Sequence, residues 1–282
     1  MSPAQTKKGA SRGFIIPIGG AEEKDENPVI LEKFIEICGG NDARIVVIPT
    51  ASRLRHTGSH YEEVFDELGA ADVRSITVSS REDCEKDRVL KKIENATGVF
   101  ITGGNQLRLS TIMGGTSLAK LLRKRNANGL HIGGTSAGAA IMPEHMIAGG
   151  ETGPTPFKGQ AILAPGLGLT NAVMIDQHFR ERGRLGRLLS ALAFNPFATG
   201  LGIDEDTAAF IGPDGVFEVV GSGAITVVDP ANLKYSSIGE ARRGEPVSLI
   251  NVRLHILTSG SRFDTKTREP IIEFENAIFE NA

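Results

Sequence analysis

The chain is short of cysteine, of long apolar runs and of any surplus of charge. Its two cysteines, Cys38 and Cys84, form no CxxC pair. A disulfide framework is therefore excluded, and reduced thiols in a cytoplasmic protein are expected. No stretch reaches the ~18 apolar residues that would cross a bilayer. The opening MSPAQTKKGASRG has no apolar core of signal-peptide length. A net charge of −3 and a pI of about 6.1 argue against nucleic acid or a membrane surface as partner. Internal repeats and linkers are lacking too. The expectation is one domain over residues 13–282 behind a disordered tail, 1–12.

What the chain has in excess is glycine, 34 of 282 residues, against a usual share of ~7%. The glycines pair up at Gly19-Gly20, Gly103-Gly104 and Gly133-Gly134, each closing a short apolar run: GFIIPI (13–18), GVFITGG (98–104) and GLHIGG (129–134). RIVVIP (44–49) and VRSITV (73–78) add two more strands. Helical spacing marks 28–38, 59–69, 82–94, 105–113 and 116–127 between them. Near-continuous apolar strands alternating with helices predict a parallel sheet covered on both faces. Sites in such sheets lie at the C-terminal strand ends, where IGGAEE, ITGGNQ and IGGTSAG fall. The second half is less regular. Residues 143–172 read as loop, 183–193 as a helix and 197–228 as short strands.

Gly134-Thr135-Ser136-Ala137-Gly138 fits G-x-S-x-G, the turn that presents a nucleophilic serine between a strand and a helix. Glycine neighbours suit a strained backbone, and the helix start offers free N–H groups to an oxyanion. The bland alternative is a glycine-rich turn with an incidental serine. A serine needs a base. His56 and His60 are four apart but lack the Glu of H-E-x-x-H, and Gly58 argues against a helix there, so zinc is not expected. His131 lies inside a strand and His145 in a loop. His255, in VRLHIL, lies on the face opposite Val252, Leu254 and Ile256, as an exposed strand histidine would.

His178 stands in the chain's densest polar stretch, Asp176-Gln177-His178-Phe179-Arg180-Glu181-Arg182-Gly183-Arg184, with Arg187 beyond it. A solvated helix would pair these arginines with acids at i+4, yet only Glu181 is available nearby. Unpaired arginines suit carboxylate or phosphate recognition. The acid could come from Asp204-Glu205-Asp206, one carboxylate buried and its neighbours in water. Two triads stay open: Ser136 with an acid at 204–206 and His255, in the α/β-hydrolase order, or Ser136–His178–Glu205. The richness around His178 favours the second.

Taken in order, Thr102-Gly103-Gly104-Asn105-Gln106, the Ser136 motif, Ala164-Pro165-Gly166-Leu167-Gly168-Leu169, Asp176-Gln177-His178-Phe179 and Gly202-Ile203-Asp204-Glu205 resemble the cyanophycinases, relatives of aspartyl dipeptidase in a serine-peptidase family. The resemblance runs from about Gly13 to at least Gly212. Asn105 replaces an expected Asp, and 231–282 carries no matching motif. The resemblance implies an α/β, flavodoxin-like fold related to class I glutamine amidotransferases, a three-layer sandwich with a mostly parallel sheet. It implies Ser136 as nucleophile, His178 as base, Glu205 as its orienter, and the N–H groups of Gly104 and Ala137 for the oxyanion. Gln106, Asp176, Gln177, Arg182, Arg184 and Arg187 would meet substrate. The reaction implied is release of β-Asp-Arg dipeptides from the end of cyanophycin, a poly-aspartate with arginine on each β-carboxyl, by a homodimer needing no metal or cofactor. The alternatives are an aspartyl dipeptidase acting on small Asp-X peptides, a non-catalytic binder on the same scaffold, and an esterase using His255. The missing HGGG-type loop weighs against the last.

Overall fold

The computed structural model describes residues 2–272. In chain order the elements are β1 Ile15–Ile18, α1 Val29–Ile37, β2 Arg44–Ile48, α2 Thr57–Glu67, β3 Asp72–Ser75, α3 Asp87–Asn95, β4 Gly98–Ile101, α4 Gln106–Met113, α5 Ser117–Asn126, β5 His131–Thr135 and α6 Ala137–Ala140. Then come β6 His145–Gly150, β7 Ala161–Pro165, β8 Val173–Gln177, α7 Leu185–Phe194, β9 Thr199–Ile203, β10 Thr207–Ile211, β11 Val216–Gly221, β12 Ala224–Asp229, β13 Tyr235–Ser236, β14 Leu249–Ile250, β15 Arg253–Thr258, β16 Arg262–Asp264 and β17 Glu269–Ile271. Residues 2–12 form neither helix nor strand.

Nine strands make the main sheet, in the order β17-β16-β11-β10-β1-β5-β4-β2-β3. From β1 to β3 neighbouring strands run parallel, and β1 and β4 are buried throughout, as a sheet covered on both faces requires. From β10 outward the pairing turns antiparallel. A second, four-stranded sheet, β15-β12-β9-β8, stands beside it. The fold is α/β, a layered sandwich around a largely parallel sheet.

Three apolar clusters fill the layers. One packs α1 and α2 against the main sheet through Phe34, Phe65, Tyr61 and Phe100. A larger one lies between the two sheets and under α3–α6, joining Ile132 and Ile101 to Ile175, Leu201 and Ile225. The third packs α7 on the outer face of the second sheet. Local signals set the helix starts. Asn105 Oδ1 accepts the N–H of Arg108 at 3.0 Å, and Thr116 Oγ1 that of Ala119 at 3.4 Å, so side chains satisfy amides that lack an intrahelical partner.

Residues 143–172, expected as loop, instead hold the antiparallel pair β6–β7, with a bulge between Ile147 and Gly149. Dense glycine and proline hid a strand whose irregularity falls at Ala148, just before the paired Gly149-Gly150. Gly58 lies inside α2, not outside a helix, because the missing β-carbon lets the helix close on Ser75 and Pro49. His255 is half-buried, with its ring 5.8 Å from that of Phe263; the exposed face of β15 is the apolar one, Leu254 and Ile256. The segment 231–272 supplies β13–β17, held to β12 by buried Asp229, which accepts from Arg253 Nη2 at 2.7 Å and Arg268 Nη1 at 2.8 Å.

Phe100 is fully buried, with ring centroids of Phe34, Tyr61 and Phe65 at 5.6, 4.9 and 5.2 Å. Phe100→Ala empties the centre of this group and should cost about 3–5 kcal/mol of stability, read as a lowered urea midpoint at unchanged m-value.

Candidate active site

Ser136 follows β5 and has φ +52°, a left-handed conformation that a non-glycine residue adopts only under constraint. The constraint is close packing. A β-carbon on Gly134 would stand 2.8 Å from the backbone of Gly138, and one on Gly138 would strike the carbonyl of Ile101. Ser136 N–H donates to the carbonyl of Ile18 on β1 at 3.0 Å. The hydroxyl is thereby held up from the sheet end, half-exposed.

His178 directly follows β8 and also has positive φ, +48°. Its N–H donates to the carbonyl of Gly19 at 2.8 Å, and its ring lies directly over Gly20, where any β-carbon would strike the imidazole. His178 Nε2 is 2.9 Å from Ser136 Oγ, and Nδ1 is 2.5 Å from Glu205 Oε1. With Nδ1–H donating to the carboxylate, Nε2 is left to accept from the serine hydroxyl. His255 has no part in this group. Its Nε2 is buried without a partner against the core. The three glycine turns do converge. Gly103 sits against Ser136, a β-carbon there being 3.4 Å from Ser136 Cβ, and exposed Gly104 follows it. Ala137 N–H lies at the first turn of α6, where backbone donors lack intrahelical partners; the amides of Ala139 and Ala140 return to the carbonyl of Ser136.

Burial pushes the His178 imidazole below its ordinary value; Glu205 pulls it up, and the charges of Arg182 and Arg184 push it down. The net direction is downward, which keeps the ring neutral and able to take a proton near neutral pH.

The arginine run is not left unpaired. Asp176, on β8, is 1% exposed and accepts from Arg187 Nε at 2.8 Å and from Arg187 Nη2. Arg184 Nη1 donates to Gln177 Oε1 at 3.0 Å, to the Gln177 carbonyl, and approaches Asp176 Oδ1 at 3.4 Å. Asp176 and Arg187 thus face each other inside the protein, because β8 and α7 place them side by side across eleven residues of sequence. Of the four arginines in this run, Arg182 alone is exposed with an unpartnered side chain. Gln106, half-buried, donates to the carbonyl of Ala148 at 2.9 Å and so ties α4 to β6. The acidic turn also departs from expectation. Asp204 is its most buried member, at 4% exposure, while Asp206 accepts from Glu23 N–H and Ser222 Oγ.

Sequence reasoning missed Glu22. It is 3% exposed and accepts from the hydroxyls of Tyr61 and Thr135, with Lys24 Nζ at 3.3 Å. Thr135 directly precedes Ser136, so this carboxylate braces the elbow from beneath. Nothing in IGGAEE marks it, but the Gly19-Gly20 pair at a strand end did mark the loop that carries it. Among the described residues no helix is long and apolar enough to cross a membrane, and no cluster of His, Cys, Asp and Glu could hold a metal.

The profile of Peptidase family S51 matches residues 14–219. A cyanophycinase from Trichormus variabilis is 43% identical over 256 residues, covering 90% of this chain and 86% of that protein. One from Geminocystis herdmanii is 42% identical over 262 residues, covering 92% and 96%. The crystal structure of a peptidase from an acI-B1 Actinobacterium has the same fold at 20% identity, with a TM-score of 0.63, covering 91% of this chain and 98% of that one.

The field at His178 can be measured directly. Followed by NMR, its imidazole should titrate below the ~6.5 of a free histidine. Arg182→Gln removes one of the two cations that lower it, so the midpoint should move up, and with it the pH below which the base is lost. An unmoved midpoint would discount the arginine.

Proposed function

The chain belongs to peptidase family S51, a serine peptidase, and from that footing we propose that it hydrolyses cyanophycin from the chain end, releasing β-Asp-Arg dipeptides. The observation that carries the reading is the line Ser136–His178–Glu205, with Oγ–Nε2 of 2.9 Å and Nδ1–Oε1 of 2.5 Å. The relatives named as cyanophycinases, similar over nine-tenths of the chain, supply the substrate.

In this reading Ser136 Oγ attacks the scissile carbonyl carbon while His178 Nε2 takes its proton. The oxygen that gains the electron pair accepts from the N–H groups of Gly104 and Ala137. As the tetrahedral centre collapses, the C–N bond breaks and His178 returns the proton to the departing amine. Water then repeats the sequence on the acyl-enzyme and frees Ser136. Glu205 stays ionised throughout and holds the imidazole tautomer. Exposed Arg182 and the unpartnered Nε of Arg184 receive substrate carboxylates, with Asp176, itself held by Arg187, steadying Arg184, which in turn holds Gln177. Gln106 positions the turn beside Ser136.

The compartment is the cytoplasm, in keeping with two buried free thiols. The working unit is a homodimer; sedimentation at micromolar concentration should give twice the chain mass, and a monomer there would remove this part of the reading. The catalytic part is tested with insoluble cyanophycin. Wild type should release β-Asp-Arg, identified by mass, and Ser136→Ala should be slower by about a thousandfold or more while still binding the polymer. Turnover that survives the substitution, or activity only on small Asp-X peptides, would displace the proposal.

A further inference from the structure

A cavity of about 580 Å³ is lined by the chain immediately next to the triad, though by none of the three triad residues themselves. Two of its walls are tied to the triad by sequence: Phe179 follows His178, and Asp204 precedes Glu205. Its volume is that of a small-molecule site. Phe179, Leu185 and Ile256 give it apolar lining, Arg180, Arg182 and Arg184 are its cations, and Asp204 is its one carboxylate.

We propose that this cavity takes an arginine branch of the polymer, with Asp204 receiving the guanidinium. The inference rests on the cyanophycin reading. In that polymer each arginine is joined through its α-amino group, so every branch ends in a guanidinium at one end and a free carboxylate at the other, with an apolar stem between. The cavity presents the complement of each part.

Asp204 is where the guanidinium fits. The residue is 4% exposed, and its oxygens accept only backbone N–H groups, from Arg180 at 3.1 Å and Ala224 at 3.2 Å. A carboxylate has about four acceptor positions, so positions on both oxygens stay unused. The nearest cation is Arg180, whose Nε lies 3.8 Å away, beyond hydrogen-bond reach, on a side chain 71% exposed. Arg180 instead bonds Glu181 at 3.2 Å. A buried carboxylate with a loose, displaceable cation at its edge is poorly compensated, and burial accordingly pushes the Asp204 carboxyl up from its ordinary value. A guanidinium brought by the substrate would satisfy it in bidentate fashion. Among the cations of the lining, Arg184 is 7% exposed and its Nε is buried without a partner, while Arg182 is open. These two suit the branch carboxylate, and the stem would lie along Phe179, Leu185 and Ile256.

The test compares a short β-Asp-Arg oligomer with the same oligomer carrying citrulline, a neutral side chain of the same shape. Wild type should favour arginine in kcat/KM by roughly tenfold or more. Asp204→Asn should lower kcat/KM on the arginine oligomer by a similar factor, mostly through KM, and close the gap between the two. An equal loss on both oligomers would mean that the carboxylate only holds its two backbone amides, and would overturn the proposal; so would an arginine preference that survives. Should the Asn variant fail to fold, Arg180→Ala provides the second arm. Removing the competing surface cation should lower KM for the arginine oligomer, and an unchanged or raised KM overturns the proposal. Wild type inert on both oligomers would instead strike the cyanophycin reading itself, whereas equal turnover of both by wild type would sink only the role of Asp204.

Discussion

The site depends on two non-glycine residues held at positive φ, Ser136 at +52° and His178 at +48°. Each conformation costs of order 1–3 kcal/mol, and neither would persist unless the surroundings allowed nothing else. What enforces them is backbone packed on backbone. Ser136 is pinned by Gly138 against Ile101 and by its N–H bond to Ile18, and His178 by its N–H bond to Gly19 and the bare surface of Gly20. The hydrogen bond between the two side chains is a product of these contacts more than their cause.

The arginine-rich turn shows a second use of the same economy. Asp176 neutralises Arg187 and steadies Arg184 below the surface, so the charge that reaches the open side of the turn is concentrated at Arg182 and Arg180. That distribution also acts on His178, whose proton affinity is lowered by burial and by the cations beside it and raised by Glu205. The base is thus tuned by the arginines of its own turn as well as by its carboxylate partner.

Much of this was legible in the sequence because it is written in backbone chemistry. Apolar runs closed by paired glycines marked β1, β4 and β5 and the ends at which the site lies, and Ser136 stood in a motif whose spacing reflects steric need. Partners that meet only in space were not legible. Asp176 pairs with Arg187 across β8 and α7, so the run looked short of acids. Glu22 braces Thr135 from another loop. Asp204 and Glu205 are adjacent and chemically alike, yet one is buried in the wall of a cavity and the other faces the imidazole. The strands β6 and β7 were hidden by the glycines and prolines in and around them, and the inward turn of His255 follows from Leu254 and Ile256 lying on the outer face of an edge strand, which no alternation pattern reveals.

The strand order has a consequence for which side chains can complete the site. β1 lies between β5, which ends at the serine, and β10, which starts just after the glutamate. With neighbouring strands ~4.8 Å apart, hydroxyl and carboxylate stem from rails two spacings apart, roughly 10 Å. The middle rail ends in glycines and leaves a trough between them. An imidazole laid in that trough meets a bank at each end, one nitrogen accepting from the hydroxyl while the other donates to the carboxylate; an ammonium only donates and an ionised carboxylate only accepts, so neither serves both banks. The sheet thus sets opposite demands on the two sides of one narrow gap, and a neutral ring with one donor and one acceptor nitrogen meets both.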